Sequence, residues 1–397
     1  MNKVNGLGIA TLLLTSMLTI MVGSAIAPSL LEIEKNLDFQ FDSGLLITLP
    51  SLGVVVFSPL AGWLLPKLGS FKLLCFGLIP YAIFGYGGGF ISNNYILIVD
   101  RVLLGGAAVF VQIAATALIA ENFIGKKRMQ IIAWQGMAIE GGGVLFLSLG
   151  GVLGEMYWQY PFLIYLIALI CFILSLFVLP KKSIENTTEV NNQQTAENKN
   201  IKKLVYIIFA GALFSMIIFF ISFIQLPQYL PENFNFSESE TGYLMAFISL
   251  IAVITASQMP KIASKIDAGF IVVGGFVFFM LGYILFGMAN NAQLIYAGAL
   301  ATGIGFGFSI PTLNHLMVEV STAQTRGKNL GLYSIGVFGG QFLSTFMGFI
   351  IKDTNTLFLL TACLSLVVAI CLGFLFNKYA VKHNQSKINK IPSETTA

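Results

Sequence analysis

The chain has 397 residues, of which 56% are hydrophobic and 10% charged, with a formal net charge of +4. Its mean hydropathy is +0.83. A soluble domain carries about 25% charged residues, so the polar surface here is too small to cover such a core in water, and an integral membrane protein is the class that remains.

The N-terminal stretch "MNKVNGLGIATLLLTSMLTIMVGSAIAPS" contains Ala25 and Ala27 in the spacing of a signal-peptide cleavage site. Its apolar run is long for a signal peptide, and Pro28 would directly follow the cut, so it reads as a first membrane helix. A helix needs about 20 apolar residues to cross a bilayer. Twelve segments qualify, at 7–30, 44–64, 73–91, 95–119, 130–153, 161–179, 204–226, 241–259, 269–289, 293–318, 329–351 and 356–377. Between the sixth and seventh, "PKKSIENTTEVNNQQTAENKNIKK" is polar and has almost nothing apolar to bury, which is the composition of a flexible linker. The expectation is an all-α integral membrane fold of twelve transmembrane helices. An N-terminal six-helix bundle spans 1–180, a cytoplasmic linker 181–203, a C-terminal bundle 204–378 and a cytoplasmic tail 379–397. Cys75, Cys171, Cys363 and Cys371 each sit in an apolar run without metal-ligand spacing and read as small hydrophobes.

Charge sets the expected orientation. With both termini in the cytoplasm, all of the 22 basic residues except Lys35, Lys352 and the intramembrane Arg101 face inward, as the positive-inside rule requires. The expected location is the cell membrane, multi-pass. The halves also match at one offset, 198 residues, which pairs Lys67 with Lys265. The same shift pairs Gly44 with Gly242, Gly77 with Gly275, Asn93 with Asn291 and Gly105 with Gly303. It also pairs Glu121 with Glu319, Arg128 with Arg326 and Gly142 with Gly340. A duplicated six-helix unit explains these matches.

Three motifs carry a family resemblance. "GWLLPKLGSFK" runs from Gly62 to Lys72, "DRVLLGGAA" from Asp100 to Ala108, and "GGVLFLSLGG" from Gly142 to Gly151, followed by "YWQYPFLI". They resemble the loop 2–3, helix 4 and helix 5 motifs of the major facilitator superfamily, in its twelve-helix drug:proton antiporter branch. Gly62, Lys67, Gly69, Lys72, Arg101, Gly105, Gly142, Gly150 and Gly151 fit those patterns. Pro66 replaces the usual Asp of the loop, and Phe146 and Leu147 replace the Gly-Pro pair of helix 5. The resemblance implies a secondary transporter whose helices 1, 4, 7 and 10 line a central cavity. Nothing in the sequence supports an enzyme: there is no GxxxxGK[ST], HExxH or GxSxG pattern. No cofactor, metal or nucleic acid is expected, and the chain is expected to work as a monomer. A non-transporting membrane receptor or assembly factor is a further alternative.

One residue raises the question of mechanism. "AWQGMAIEGGGVLFLSLGG" carries Glu140 with no other charge within ten residues on either side. Ten residues into its helix, Glu140 lies about 15 Å deep. An ionised carboxylate there costs about 2.5–3.5 kcal/mol. It must face a watery cavity, pair with a cation or take up a proton, and competition between the last two can couple a proton to a conformational change. The alternative is a structural Glu within a glycine-rich helix. Arg101, about 9 Å below the outer face, is the expected partner of Glu140, with Asp100 reaching the outer headgroups or sharing the proton relay. Gln112 shares the Arg101 face. Asn314 and His315 follow Pro311 on the tenth helix, where His315 is a titratable or a packing group.

Thr15, Ser16, Thr19 and Ser24 give the first helix a polar stripe, and Phe214, Phe219, Phe220, Phe223 and Gln225 give the seventh an aromatic one. The resemblance makes Arg101, Gln112, Asn314, His315, Thr15, Thr19, Phe219 and Phe223 candidate cavity residues. Gly62, Lys67, Gly69, Lys265, Glu121, Arg128, Glu319 and Arg326 are candidate gating-loop residues, with charges that could latch one half to the other. The expected function is proton-coupled export of a small amphipathic compound, such as a siderophore or a drug in multidrug resistance. Proton-driven uptake of a small anion or nutrient is the alternative.

Overall fold

The computed structural model describes residues 4–181, 199–322 and 325–388 and is all helical among them. The element order is α1 (Gly6–Ser24), η1 (Ala27–Ser29), α2 (Leu30–Leu37), α3 (Gly44–Leu68), α4 (Ser70–Gly87), η2 (Gly88–Phe90) and α5 (Asn94–Asn122). Then come α6 (Gly125–Met156), η3 (Tyr160–Leu166), α7 (Ile167–Val178), α8 (Lys199–Phe234), α9 (Glu238–Ala263) and α10 (Ala268–Gly287). The last three are α11 (Ala292–Glu319), α12 (Arg326–Ile350) and α13 (Thr354–Ile388). Twelve stretches are long and apolar enough to cross a membrane, in the order expected from sequence.

The ends differ from expectation for identifiable reasons. The first crossing continues to Leu37. Pro28 enters at the start of η1, where its missing N–H costs nothing, and the chain resumes as the amphipathic α2, with Glu32 and Lys35 paired at 2.9 Å. α8 begins at Lys199, inside the expected linker; residues 182–198 of that linker lie outside the described residues. α13 runs to Ile388, so the expected tail begins as helix, and residues 389–397 also lie outside the description.

Several sequence matches between the halves turn out to be the same physical device. Asn93 and Asn291 cap α5 and α11 with side-chain oxygens: Asn93 accepts from the amides of Tyr95 and Ile96, Asn291 from that of Leu294. Gly105 lets α5 approach α3 so closely that a Cβ there would overlap the Pro50 carbonyl oxygen. A Cβ at Gly303 would lie 2.6 Å from the Ile248 carbonyl oxygen, and Ile248 is the offset mate of Pro50. Small residues at such crossings let helix backbones touch.

Two ends of the molecule differ in charge. Glu32, Glu34, Lys35, Asp38, Glu155, Gln228, Glu232 and Glu238 gather at one, within electrostatic reach of one another or around a shared pocket. This is called the acidic end below. The opposite, basic end carries Lys67, Lys72, Lys127, Arg128, Lys261, Lys265, Arg326 and Lys328.

Candidate transport cavity

The halves meet at the acidic end along two seams. In one, α3 packs on α12: the Thr48 and Thr345 hydroxyls bond at 2.5 Å, and the Ser51 hydroxyl donates to Gln341 Oε1 at 2.5 Å. The Gln228 amide on α8 adds a bond to the Ser43 hydroxyl, also 2.5 Å. In the other seam, α6 packs on α9 through glycine. A Cβ on Gly143 would stand 3.3 Å from Ser249 Oγ, one on Gly242 2.6 Å from the Leu147 carbonyl, and one on Gly151 2.5 Å from the Glu238 carbonyl. The two seams are offset mates, since Ser51 corresponds to Ser249 and Gln341 to Gly143.

Beneath the seal lies a cavity of about 40 Å³, room for no more than a few waters. Its lining includes Thr19, Ser24, Ser51, Phe220, Phe223, Phe338 and Gln341. Toward the basic end the same helix faces lose their partners. On α6 that face continues from Gly143 to Glu140 and Gly136, on α12 from Gln341 to Phe338 and Gly331. A Cβ at Gly136 or Gly331 would meet nothing within 4 Å. The halves are thus joined at the acidic end and parted toward the basic end, and Glu140 sits where the α6 face leaves α9. It is partly exposed, and its field reaches the Tyr333 hydroxyl on α12, which donates to the Ile310 carbonyl at 3.0 Å.

Arg101 does not pair with Glu140. It is fully buried inside the N-terminal half. Its Nη2 donates to Asp100 Oδ2 at 2.6 Å and to the Phe84 carbonyl at 2.6 Å, and Nε donates to the same Asp100 oxygen at 3.0 Å. The rings of Phe162 and Tyr165 flank it at 5.8 and 5.9 Å. The physical reason is the end of α4, where the negative pole of the helix dipole and the last carbonyls attract a cation. Gly88 leaves the room: a Cβ there would overlap Arg101 Nη2. Asp100 is therefore buried in this pair instead of reaching the headgroups.

The remaining candidates divide. Thr19 and Phe223 line the cavity. Thr15 turns into the N-terminal half, bonding the Thr11 carbonyl at 2.6 Å beside Cys171. Phe219 packs into the C-terminal half, 4.1 Å from the Phe306 ring centroid. Gln112 is partly exposed, and its carbonyl accepts from the Thr116 hydroxyl. Asn314 and His315 are exposed and are not among the lining residues.

Of the gating-loop candidates, Gly69 forms the turn between α3 and α4 at φ 77°, a conformation that suits glycine. Gly62 faces open space. Lys67 stacks on Trp63, 3.3 Å from the ring centroid. Glu121 accepts from the Ser70 hydroxyl at 2.6 Å, and Arg128 donates to the carbonyls of Ala120 and Phe123 at 2.6 Å each. These contacts stay within one half. Lys265, Glu319 and Arg326 are exposed on the basic end. The two described ion pairs, Lys35–Glu32 and Arg101–Asp100, also lie within one half. The seam residues Thr48, Ser51, Gln341 and Thr345 and the lining residues Phe220 and Phe338 carry no charge, so a search for charged groups passes over all of them. The 198-residue offset is the signal that finds Phe338, because it maps that residue onto Glu140.

The comparisons agree with this architecture. A proton-coupled antiporter flippase, LtaA, of Staphylococcus saprophyticus is 25% identical over 326 residues, covering 80% of this chain and 81% of that protein. LtaA of Staphylococcus aureus strain USA300 is 24% identical over 333 residues, covering 81% and 83%. Among solved structures, a peptide transporter POT superposes with a TM-score of 0.77 at 12% identity, covering 94% of each chain. A D-xylose–proton symporter gives 0.73 at 17% identity, covering 92% and 96%. The Major Facilitator Superfamily profile matches residues 12–345 and again 208–397, and the chain belongs to that superfamily of membrane transporters.

Proposed function

We propose that the chain is a proton-coupled antiporter that exports an amphipathic compound, with Glu140 as the proton carrier. The observation that carries this reading is the place of Glu140 at the point where the α6 face parts from α9. An acid there is sealed from the acidic end and open toward the basic end. When the halves rock, the same carboxyl is handed to the other side. The basic end is the cytoplasmic one on this reading, by the positive-inside rule, which places both termini in the cytoplasm.

The substrate is read from the walls. Phe220, Phe223 and Phe338 supply apolar surface, while Thr19, Ser24 and Gln341 supply polar points. That mixture suits a compound with one greasy and one polar part. The relatives named as flippases favour a lipid-like amphiphile over a siderophore or a soluble drug.

The test is transport in proteoliposomes energised with a pH gradient, following gradient collapse on adding amphiphiles of graded tail length and, beside them, small polar siderophores and nutrients. The wild type is expected to collapse the gradient in a compound-dependent way and Glu140→Gln to leave it intact. Equal collapse by both would return Glu140 to a packing role. Collapse only with small polar siderophores or nutrients would overturn the lipid-like substrate.

A further inference from the structure

We propose that Glu155 is a latch that holds the acidic end shut by capping helix α9 across the boundary between the halves. The first turn of any α-helix leaves N–H groups without carbonyl partners. In α9 they are shared out. The Ser237 hydroxyl accepts from the Glu240 amide at 3.2 Å, and Glu240 Oε2 returns the bond to the Ser237 amide at 2.9 Å, a capping box. The Ser239 amide is satisfied from outside. It donates to Glu155 Oε2 at 3.1 Å, and the Ser237 hydroxyl donates to the same oxygen at 3.0 Å.

Glu155 belongs to the last turn of α6, in the other half of the molecule. A carboxylate at a helix N-terminus is favoured both by these bonds and by the helix dipole. Opening the acidic end would pull α6 from α9 and strip both bonds at once. Beside it the Glu238 carboxylate of α9 meets the Ser29 hydroxyl of the N-terminal half, while Gly143, Gly151 and Gly242 touch their partners only by close packing.

The duplication supplies an internal control. The offset mate of Glu155 is Asp353, which turns back to cap its own helix α13 through the amide and hydroxyl of Thr356. The mate seam begins at α3, whose first amide, Gly44, is taken by its own neighbour Asp42 at 2.8 Å. In that seam both caps stay at home. In the α6–α9 seam, by contrast, a carboxylate of one half accepts from a backbone amide at a helix start in the other. The charged neighbour of Glu155 is Glu238, which is also within electrostatic reach of Glu32 and Lys35, and Lys35 is occupied by Glu32.

The latch rests on the alternation of the two halves in the reading above, not on its proton or its substrate, so the test uses neither. Thr19→Cys places a thiol in the cavity just under the seal. The four native cysteines are replaced by alanine in a full-length chain that retains its melting temperature. A membrane-impermeant maleimide is applied from the side where a control cysteine at the exposed Asn36 reacts. Glu155→Ala is expected to raise the alkylation rate of Thr19→Cys about fivefold, the equilibrium equivalent of one lost helix cap. Ser237→Asp preserves the local cap on Glu240 but sets a second carboxylate against Glu155, and is expected to raise the rate at least as much. Adding Glu155→Gln to Ser237→Asp restores a donor to the pair and is expected to return the rate toward wild type. Unchanged alkylation in Glu155→Ala and Ser237→Asp would overturn the latch. So would acceleration by Ser237→Asp that Glu155→Gln fails to reverse, because that pattern marks general damage to α9.

Discussion

The two halves share a backbone plan and differ in how they fill it. In the N-terminal half, Arg101 and Asp100 form a buried ion pair against the end of α4, with Gly88 making room. The offset mates are Ala299, Gly298 and Phe286. There the bulk has changed sides: Phe286 on α10 fills the space over Gly298 and packs against Tyr283 and Phe358 at centroid distances of 6.0 and 5.6 Å. Likewise the offset mate of Glu140 is Phe338, a ring that lines the cavity. The same helix crossing therefore tolerates either a salt bridge or a ring cluster, and the intramembrane charges are confined to one half. On the proposed reading, the part that changes its charge state is concentrated there, while the other half supplies an uncharged wall.

The largest effect expected on this comparison comes from breaking the ion pair. Arg101→Ala leaves Asp100 buried and unpaired, at a cost of about 3–5 kcal/mol. Phe286→Ala should cost about 3–5 kcal/mol as well, by cavity formation alone. The two are separated by a rescue. Asp100→Leu combined with Arg101→Met should recover most of the N-terminal loss, since buried pairs are often replaceable by apolar groups of like volume. The already unpartnered Arg101 Nη1 points the same way. Thermal unfolding in detergent checks all three. A double variant as unstable as Arg101→Ala would show that the charges themselves, and not the filled volume, hold α4 to α5.

A smaller effect is expected where the room itself is removed. Gly88→Ala would drive a methyl into the guanidinium, and Gly298→Ala would set one 2.7 Å from the Phe286 ring. Overpacking of this kind costs about 1–3 kcal/mol. Gly88→Ala should be the worse of the two, because Asp100 and the Phe84 carbonyl pin Arg101 in place, whereas a ring can tilt. Equal losses in unfolding midpoint would mean that the two fillings are equally rigid.

Much of this plan was legible in the sequence, for reasons that can be named. Spans were legible because lipid demands long apolar runs. The duplication was legible at capping and crossing positions such as Asn93 and Asn291 or Gly105 and Gly303, where geometry restricts the residue type. Glu140 stood out by isolation alone. The direction of Arg101 was not legible, because helix periodicity fixes a face but not which neighbour offers the better partner. The α4 carbonyls and Asp100 outcompeted a distant Glu140. The cross-half cap at Glu155 was hidden too, since it depends on which helix start lies opposite a surface acid.

The helix caps sharpen the comparison where the halves should agree. Asn93→Ala and Asn291→Ala should each cost about 1 kcal/mol, with Asn93 the larger, because it satisfies two amides and Asn291 one. Equal unfolding midpoints for wild type and Asn93→Ala would reduce the matched asparagines to coincidence.

The smallest effect separates two caps by the sign of their pH dependence. Burial pushes the Asp42 carboxyl up from its ordinary 3.8, against the Gly44 amide bond, which pulls it down. Its ionised form is thus disfavoured in the fold, so its contribution is fully present below the ordinary value and is lost as pH rises through the raised one. The Thr356 hydroxyl, with the Thr356 amide, holds Asp353 below 3.8. Its contribution is present above the ordinary value and is lost as pH falls through the depressed one. Acidification should therefore fray the first turn of α13 while leaving the first turn of α3 intact or firmer. Hydrogen exchange at the Thr356 and Gly44 amides, normalised for the intrinsic pH dependence of exchange, reads the two turns separately. Parallel loss of protection at both would mean that the Gly44 amide bond, rather than burial, governs Asp42, and that both caps work as ionised carboxylates.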